Sequence, residues 1–316
     1  MTDRHTHPNP TGTDTRSALV VASFGRHVLV EQADGQRVLC HPRGKKNEAV
    51  VGDQIQWLPS ADEGTIERIG ERRNLLYRRD EWRTKSFAAN LDQVLVLLAA
   101  EPEFSESQLA RALIACHAQQ LPVLIGLNKQ DLQVAFDKAW ARLAPYHQMQ
   151  EQVLPLAIKP GTLTPDLSDL RSRLQGKTTL VLGPSGAGKS SLVNALVPDA
   201  GAATAEISRA LASGRHTTTR TMLYWLDEAR QTALIDSPGF QEFGLHHIPA
   251  TALANLMPDL HVHAQQCRFH NCSHRHEPGC GVIEALESSN PAERISPSRY
   301  RIYLDLFDEL SQPARY

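Results

Sequence analysis

A glycine-rich loop stands in the second half of the chain at Gly183-Pro184-Ser185-Gly186-Ala187-Gly188-Lys189-Ser190, and it fits the phosphate-loop pattern GxxxxGK[ST]. An apolar run precedes it at residues 178–182, and a helical pattern follows over residues 188–196. The glycines let consecutive backbone N–H groups face phosphates at the positive end of a helix. We expect Lys189 to neutralise the β- and γ-phosphates and Ser190 to ligate Mg²⁺. The loop predicts a nucleoside triphosphate site without distinguishing GTP from ATP.

A second motif, Asn128-Lys129-Gln130-Asp131, distinguishes the two nucleotides. The Asp131 carboxylate can accept hydrogen bonds from the N1–H and the N2 amino group of guanine, which adenine lacks. Asn128 is expected either to contact the base edge or to brace the phosphate loop, and the Lys129 stem to cover the base face. A lone NKxD also occurs in ordinary polar loops, so the combination with the phosphate loop is what predicts GTP binding.

The two motifs stand in the reverse of their usual order, because Asn128 precedes Gly183 by 55 residues. Strand and helix patterns alternate over residues 91–235, which predicts a mostly parallel sheet with helices on both faces. When the order is rotated to begin at Thr178, every element of a Ras-like GTPase appears in sequence. We therefore predict a circularly permuted P-loop GTPase domain at residues 88–246, with its motifs in the order G4-G5-G1-G2-G3. Gly176 is expected to cap the helix at the new join.

Two segments occupy the positions of the nucleotide-sensing switches. Asp236-Ser237-Pro238-Gly239 follows an apolar strand and fits DxxG, so Asp236 is expected to hold Mg²⁺ through water. The Gly239 N–H is expected to sense the γ-phosphate. The segment GRHTTT at residues 214–219 lies where switch I belongs, and either Thr218 or Thr219 is expected to complete the Mg²⁺ shell.

The residue after DxxG is Phe240, where many GTPases have a glutamine that orients water. An apolar side chain cannot polarise water, so intrinsic turnover is expected to be slow. His216, on the switch I segment, is the local candidate for the catalytic role. The alternative is that His216 is one exposed loop histidine among the 14 histidines of the chain.

Four possible metal ligands with the spacing C-x4-C-x-H-x5-C lie near the C-terminus: Cys267, Cys272, His274 and Cys280. Three thiolates and one imidazole can enclose a tetrahedral Zn²⁺ ion in a closed, structural site. His270 and His276 are rival ligands. Disulfides are the other alternative, which a reducing compartment disfavours. The region at residues 247–316 is predicted to be a helical zinc-binding domain.

The N-terminal third carries two further regions. Short β-rich runs within residues 17–70 predict a small all-β barrel, for which an OB-type fold is preferred although the periodicity does not separate it from an SH3-like barrel. Residues 71–87 are predicted to form a basic linker, because seven basic and three acidic residues lie between Arg68 and Ala88. Tyr77, Trp82 and Phe87 are interleaved, a mixture suited to RNA, while a solvated linker is the alternative.

Composition sets the general class of the protein. The chain has 316 residues and a formal net charge of −2, so any contact with nucleic acid must come from local patches. Residues 1–16 are polar and are predicted to be a disordered tail without the apolar core of a signal peptide. The apolar run at residues 94–100 is too short to span a membrane. We therefore expect a cytoplasmic protein, acting as a monomer without membrane contact.

Taken together, these motifs resemble the RsgA (YjeQ) family of circularly permuted GTPases. The resemblance rests on GPSGAGKSS at residues 183–191, which extends to Ser191, and on GRHTTT, DSPG and the cysteine spacing. It implies a factor that binds the small ribosomal subunit and its rRNA, assists late maturation, and hydrolyses GTP to GDP when docked. It also implies a hydrolytic role for His216 and one zinc ion on the Cys/His cluster.

The sequence departs from common GTPase patterns at two places. Leu156-Ala157 stands where many GTPases have a Ser-Ala pair that touches guanine, and Ala187 stands where valine is usual in the phosphate loop. A GTP-gated rRNA-binding scaffold, in which hydrolysis is incidental, is the alternative function. Replacement of His216 would distinguish the two, because only the hydrolytic protein would need it for release from the subunit.

Overall fold

The computed structural model describes residues 15–44, 48–60, 63–159, 166–197, 221–239 and 243–312. Within these ranges the strands are β1 Arg16–Phe24, β2 His27–Glu31, β3 Arg37–Pro42, β4 Gln54–Pro59, β5 Gly64–Ile69, β6 Leu75–Arg79, β7 Thr84–Ala89, β8 Gln93–Ala99, β9 Val123–Asn128, β10 Gln152–Pro155, β11 Thr178–Leu182, β12 Thr221–Trp225 and β13 Ala233–Asp236.

The helices of the described residues are α1 Glu106–Ala118, α2 Gln133–Ala141, α3 Ala144–Gln148, α4 Ser168–Leu174, α5 Lys189–Leu196, α6 Pro258–Ala264, α7 Gly281–Leu286 and α8 Pro297–Ser311, with 3-10 turns at Ala250–Ala252 and Ala254–Leu256. Helices α2 and α3 are separate, since α2 ends at Ala141 and α3 begins at Ala144. Pro145 lies in the first turn of α3, where its fixed φ favours a new helix start. None of these helices combines the length and apolar character needed to cross a bilayer.

The first five strands form a closed barrel in the order β1-β2-β3-β5-β4, with β4 pairing back to β1. Strands β3 and β5 pair in parallel, as a Greek-key connection requires, while the other pairs are antiparallel. Val20, Ile55 and Trp57 are among the buried side chains of its separate apolar core. This topology confirms the OB-type prediction over the SH3-like alternative.

The central sheet runs in the order β10-β9-β8-β11-β13-β12. All neighbouring pairs are parallel except the pair of β12 with β13, which forms an antiparallel hairpin. Strands β8 and β9 are buried along their whole length, as in parallel sheets covered on both faces. The permuted join falls after α4, where Gly176 has φ +69° and allows the chain to turn into β11.

The barrel and the central sheet are hydrogen-bonded into one continuous sheet, which the sequence did not predict. Ala22 of β1 pairs with Met222 of β12, and Ser23 pairs with Thr221. The buried carboxylate of Glu31 strengthens this joint by accepting a hydrogen bond of 2.8 Å from the indole N–H of Trp225. The barrel is therefore attached to the strand that begins directly after the predicted switch I.

The predicted basic linker at residues 71–87 contains an antiparallel hairpin of β6 and β7. Arg72 makes a bidentate ion pair with the fully buried Asp53, and Arg73 bonds the backbone of Asn90. Arg72 therefore ties this region to the barrel, and Arg73 ties it to the start of the central domain. The basic residues closest to the hairpin tip, Arg78, Arg79, Arg83 and Lys85, lie on the hairpin itself.

A buried ion pair joins two of the C-terminal helices, and its arginine also contacts the central domain. Arg299 of α8 is 1% exposed and donates two hydrogen bonds of 2.8 Å to the Asp259 carboxylate of α6. Its guanidinium also lies 5.2 Å from the ring centroid of Tyr146 in α3. A second link joins Arg111 of α1 to Glu309 of α8. These contacts fix the C-terminal region on the GTPase sheet.

We expect Arg299→Met to lower the stability of the C-terminal region by about 3–5 kcal/mol, because Asp259 would keep a buried charge without its partner. The measurement is the calorimetric melting temperature of the full-length protein. Arg301→Met is the matched control, since Arg301 is exposed on the same helix. Equal melting temperatures for the two variants would contradict this assignment.

Candidate nucleotide site and metal centre

The phosphate loop connects β11 to the first turn of α5. Gly188 has φ +100°, and a Cβ there would lie 2.4 Å from the amide nitrogen of Asn128. A Cβ at Gly183 would lie 2.3 Å from the carbonyl oxygen of Leu97 on the neighbouring strand. Only glycine fits both positions, so these residues allow the loop to approach the sheet closely. Ser185 and Gly186 face solvent at the top of the loop.

Lys189 lies at the start of α5 and closes the loop. Its ammonium group donates hydrogen bonds of 2.8 Å to the carbonyl oxygens of Gly183 and Pro184. Ser190 and Ser191 follow in the first turn of the helix, with Ser190 exposed. A phosphate group at this helix N-terminus would therefore meet a positive side chain, a hydroxyl and backbone N–H groups together.

The DSPG loop lies beside the phosphate loop because β13 pairs in parallel with β11. An added Cβ on Gly239 would be 3.1 Å from the Lys189 ammonium nitrogen. Burial raises the pKa of Asp236, while the nearby Lys189 charge lowers it. Burial lowers the pKa of Lys189, and the charge of Asp236 offsets this effect only in part. The pair thus holds two opposite charges in a site of low solvation.

The Asp236 carboxylate has a feature that suits a hydrated cation. Its Oδ1 atom is buried and has no hydrogen-bond partner among the described residues. The neighbouring Ser237 does not donate to this oxygen, because its hydroxyl donates to the carbonyl oxygen of Val181 at 2.8 Å. An unsatisfied carboxylate oxygen beside a phosphate loop fits a water-mediated Mg²⁺ ligand.

The NKQD loop is joined to the phosphate loop by Asn128, which is 1% exposed. Its amide nitrogen donates to the Ala187 carbonyl oxygen at 3.0 Å, and its amide oxygen accepts from the Ile158 N–H at 2.9 Å. Of the two roles considered for Asn128, the geometry favours bracing. The side chain ties together the loops after β9, β10 and β11.

The remaining residues of the NKQD loop face the space above these strands. Asp131 is exposed, and its carboxylate oxygen lies 3.5 Å from the ammonium nitrogen of Lys159. Lys129 has φ +69° and donates to the Glu101 carbonyl oxygen, while Gln130 is exposed. Sequence reasoning missed Lys159, although a lysine three positions after Leu156 was a possible signal.

The predicted switch I residues His216, Thr218 and Thr219 lie outside the described residues, as does Phe240. The flanking elements are described: α5 ends at Leu196, and β12 begins at Thr221.

The Cys/His cluster brings its four ligand atoms within 4.8 Å of one another. The sulfur atoms of Cys267 and Cys280 are 3.8 Å apart, and the Nδ1 atom of His274 lies 3.4 and 3.5 Å from them. Tetrahedral zinc with bonds of about 2.3 Å to sulfur and 2.0–2.1 Å to nitrogen places sulfur atoms about 3.8 Å apart and sulfur about 3.5 Å from nitrogen. The donor set therefore fits Zn²⁺, and all four cysteine and histidine positions agree with the predicted spacing. The cysteines are free thiols and form no disulfide among the described residues.

The metal-binding loop is held by hydrogen bonds from neighbouring side chains. Glu277 accepts from the backbone N–H groups of Ser273 at 2.7 Å and Arg275 at 3.0 Å. Burial raises the pKa of Glu277, but these hydrogen bonds outweigh it and leave the pKa far below its usual range. The hydroxyls of Tyr300 and Tyr303 donate to the carbonyl oxygens of His274 and Ser273. These hydrogen bonds fix the conformation of the metal-binding loop. Sequence reasoning did not identify Glu277, Tyr300 or Tyr303.

The positions of the three candidate histidines identify His274 as the ligand. His274 is buried and has φ +56°, and its Nδ1 atom is one of the four converging ligand atoms. The rival residues His270 and His276 are exposed, and neither belongs to the group of converging ligand atoms. Burial lowers the pKa of His274, which favours the neutral imidazole that binds metal.

The phosphate loop, the DSPG loop and the NKQD loop meet at one edge of the central sheet. The NKQD loop precedes the phosphate loop along the chain, which is the reverse of the usual order. These features define a circularly permuted P-loop GTPase. The family description "RsgA GTPase" matches residues 69–246, which is more than half of the chain. The chain belongs to the RsgA GTPase family.

Curated relatives and solved structures agree with this assignment. The small ribosomal subunit biogenesis GTPase RsgA of Variovorax paradoxus is 60% identical over 308 residues, covering 96% of each chain. RsgA of Burkholderia pseudomallei is 51% identical and covers 98% of this chain and 96% of the relative. The crystal structure of YjeQ from Thermotoga maritima superposes with a TM-score of 0.71 at 29% identity, covering 95% of this chain and all of the other. YloQ, described as a circularly permuted GTPase, gives a TM-score of 0.67 at 26% identity.

Proposed function

We propose that this protein binds the small ribosomal subunit, assists its late maturation, and hydrolyses GTP to GDP and phosphate when docked on it. The observation that carries the proposal is the identity of 60%, over 96% of both chains, with a relative named for small ribosomal subunit biogenesis. The proposal includes a monomeric protein acting in the cytoplasm, with rRNA as part of its binding surface.

The nucleotide site supports a role for GTP. Asp131 would accept hydrogen bonds from the guanine base, while Asn128 keeps that loop in register with the phosphate loop. The backbone N–H of Ala157 lies between the anchored residues Leu156 and Ile158, and it would replace the hydroxyl that the sequence lacks there. Lys189 would neutralise the phosphates.

Two metal ions accompany this proposal. Ser190 and Asp236, with Thr218 or Thr219, would hold Mg²⁺, which neutralises charge that develops on the phosphates during transfer. Cys267, Cys272, His274 and Cys280 would hold one structural Zn²⁺. With four protein ligands, the zinc ion would have no position for a catalytic water, so it would stabilise the C-terminal region and take no part in hydrolysis.

His216 is our proposal for the residue that orients or activates water, because Phe240 cannot do so. We expect His216→Ala to reduce turnover stimulated by small subunits by about 10²- to 10⁴-fold while GTP binding remains. GTP turnover is measured for the protein alone, with small subunits and with large subunits. ATP is the nucleotide control. His147→Ala is the matched variant, since His147 is exposed on α3.

Each outcome of this experiment has a definite meaning. The proposal is supported if GTP turnover rises with small subunits but not with large subunits, and if ATP is not hydrolysed. A wild-type protein that binds GTP and small subunits without stimulation would instead indicate the GTP-gated scaffold. If His216→Ala keeps full stimulated turnover, hydrolysis depends on another group.

A further inference from the structure

A histidine lies at the boundary between the central domain and the C-terminal region. His117 occupies the last turn of α1, and its side chain is 22% exposed. Its Nδ1 atom lies 3.0 Å from the carbonyl oxygen of Leu256, at the end of the second 3-10 turn. Its Nε2 atom lies 3.1 Å from the Oε1 atom of Glu151, directly before β10. The imidazole therefore bridges the central domain and the chain that leads into α6.

Both neighbours of the imidazole ring are hydrogen-bond acceptors. A carbonyl oxygen and an ionised carboxylate have no proton to donate, so each ring nitrogen must supply one. A neutral imidazole carries a proton on only one nitrogen, whereas the imidazolium carries one on each. The two contacts of His117 are therefore both hydrogen bonds only when the ring is charged.

The groups around the ring include charges of both signs. Glu151 supplies the negative charge, and the C-terminal end of α1 also favours a cation. Arg299 of α8 opposes the imidazolium, but Arg299 is paired with the carboxylate of Asp259 in α6. Burial raises the pKa of Cys116, the preceding residue, so its thiol is neutral and adds no charge. Among these groups, Glu151 is the direct partner of His117.

The balance of these effects favours the charged ring. Burial lowers the pKa of His117, but the hydrogen bonds to Glu151 and Leu256 and the charge of Glu151 outweigh both burial and the charge of Arg299. The pKa is thus raised above the ordinary value of histidine, which is about 6.5. Tyr146 of α3, whose carbonyl oxygen accepts from the Glu151 N–H, stays neutral because burial raises its pKa to about 12.

The direction of the pKa shift fixes the direction of the pH dependence. Because the pKa of His117 is higher in the docked state, the bridge stabilises docking fully below the undocked pKa, near about 6.5. This stabilisation is lost as the pH rises through the higher, docked pKa. The ring then releases a proton to solvent and keeps only one of its two hydrogen bonds.

The Leu256 carbonyl lies where the chain enters the C-terminal helices. Met257 follows and is fully buried, and α6 begins at Pro258. Helix α6 in turn carries Asp259, which pairs with Arg299 of α8. A hydrogen bond to the Leu256 carbonyl oxygen therefore fixes the point from which the following helices are placed.

We propose that His117 is a pH-sensitive clamp between the GTPase domain and the C-terminal region. The protonated ring holds the entry to α6 against α1, and loss of the proton loosens that contact. Glu151 is the positioning residue that keeps the ring charged. The clamp acts in the free protein and needs neither ribosomes nor GTP hydrolysis, so its tests are independent of the proposed function.

The protonation of the ring is measured directly by NMR on the full-length protein with ¹⁵N-labelled histidines. His117→Asn identifies the two ring signals by their loss. We expect protons on both ring nitrogens at about pH 6.5, and a titration midpoint above the ordinary value of about 6.5. A midpoint at or below the ordinary value would overturn the clamp. An unprotonated Nε2 at about pH 6.5 would also overturn it, because the proton would then reside on Glu151.

Docking is measured with Glu151→Gln, which needs no assignment of ring signals. A glutamine amide can donate to the neutral Nε2 atom while the Nδ1–H still donates to Leu256, so both hydrogen bonds survive without charge. Amide hydrogen exchange is compared at the Leu260 and His261 amides, which donate to the Met257 carbonyl oxygen.

Wild type and Glu151→Gln are compared at about pH 6 and about pH 8.5 with zinc in excess. Their ratio at each pH cancels the effects of pH on intrinsic exchange and on zinc binding. We expect the wild type to lose protection relative to the variant as the pH rises, about tenfold for each unit by which the docked pKa exceeds the undocked one. His147→Asn, on the exposed face of α3, should follow the wild type at both pH values. A ratio that does not change with pH would overturn the clamp.

Discussion

Cys280→Ser is expected to abolish zinc binding and to unfold the C-terminal helices of the full-length protein. Cys280 is buried, and its sulfur lies within 3.8 Å of two other ligand atoms. A structural zinc ion contributes about 10–16 kcal/mol of apparent binding free energy, which is comparable to the whole stability of a domain. Metal analysis should fall from one zinc per chain to none, and the melting temperature should fall with it.

Cys116→Ala is the control for this experiment, because Cys116 is fully buried but lies in α1, away from the cluster. It should retain one zinc ion and lose only the small stability of a packed thiol. Burial raises the pKa of Cys272 to about 12, so its thiol must lose a proton when the metal binds. One zinc per chain and an unchanged melting temperature in Cys280→Ser would show that the cluster is not the metal site.

The elements that the sequence predicted best are those whose signal is local. The strand at residues 178–182 coincides with the apolar run that precedes the phosphate loop in the sequence. The phosphate loop and the metal spacing are likewise local patterns. Their geometry depends on a few neighbouring residues and is therefore visible in the sequence.

The features that the sequence missed depend on contacts between distant segments. The bridge between Arg79 and Leu245 joins residues far apart in the chain, and neither residue carries a distinctive motif. The pairing of β1 with β12 is equally non-local. His274 was predicted as the ligand, but its rivals His270 and His276 are set aside only by the arrangement of the ligand atoms in space. Arg72 looked like part of an RNA-binding surface until Asp53 was found opposite it.

These contacts give the two predicted switches a shared feature, since each is followed by residues that pair with a neighbouring region. The predicted switch I segment is followed by β12, which pairs with the barrel, and the DSPG loop is followed by residues 243–247, in which Leu245 pairs with Arg79 of the β6–β7 hairpin. Both predicted nucleotide-sensing segments are therefore followed by residues that pair with a neighbouring region, the barrel in one case and the β6–β7 hairpin in the other. Circular permutation makes the second connection possible, because it places the DSPG loop at the end of the domain.

Asp131→Asn is expected to reverse the base preference of the nucleotide site. A carboxylate can accept hydrogen bonds from both guanine N–H groups, whereas an amide offers one acceptor and one donor. Hydrogen bonds to a charged group are worth about 1.5–3 kcal/mol each, so GTP affinity should fall by about 10²- to 10⁴-fold. Xanthosine triphosphate carries a carbonyl in place of the N2 amino group, and it should bind the variant more tightly than GTP does.

Titration with fluorescent GTP and xanthosine triphosphate measures both affinities in one experiment. Gln130→Glu is the matched control, because Gln130 is the exposed neighbour of Asp131 in the same loop. It should keep the preference for GTP. Since Asn128 holds the loop independently of Asp131, the variant should remain folded and bind the phosphates normally. An unchanged ratio of the two affinities would mean that another group recognises the base, with Lys159 as the nearest candidate.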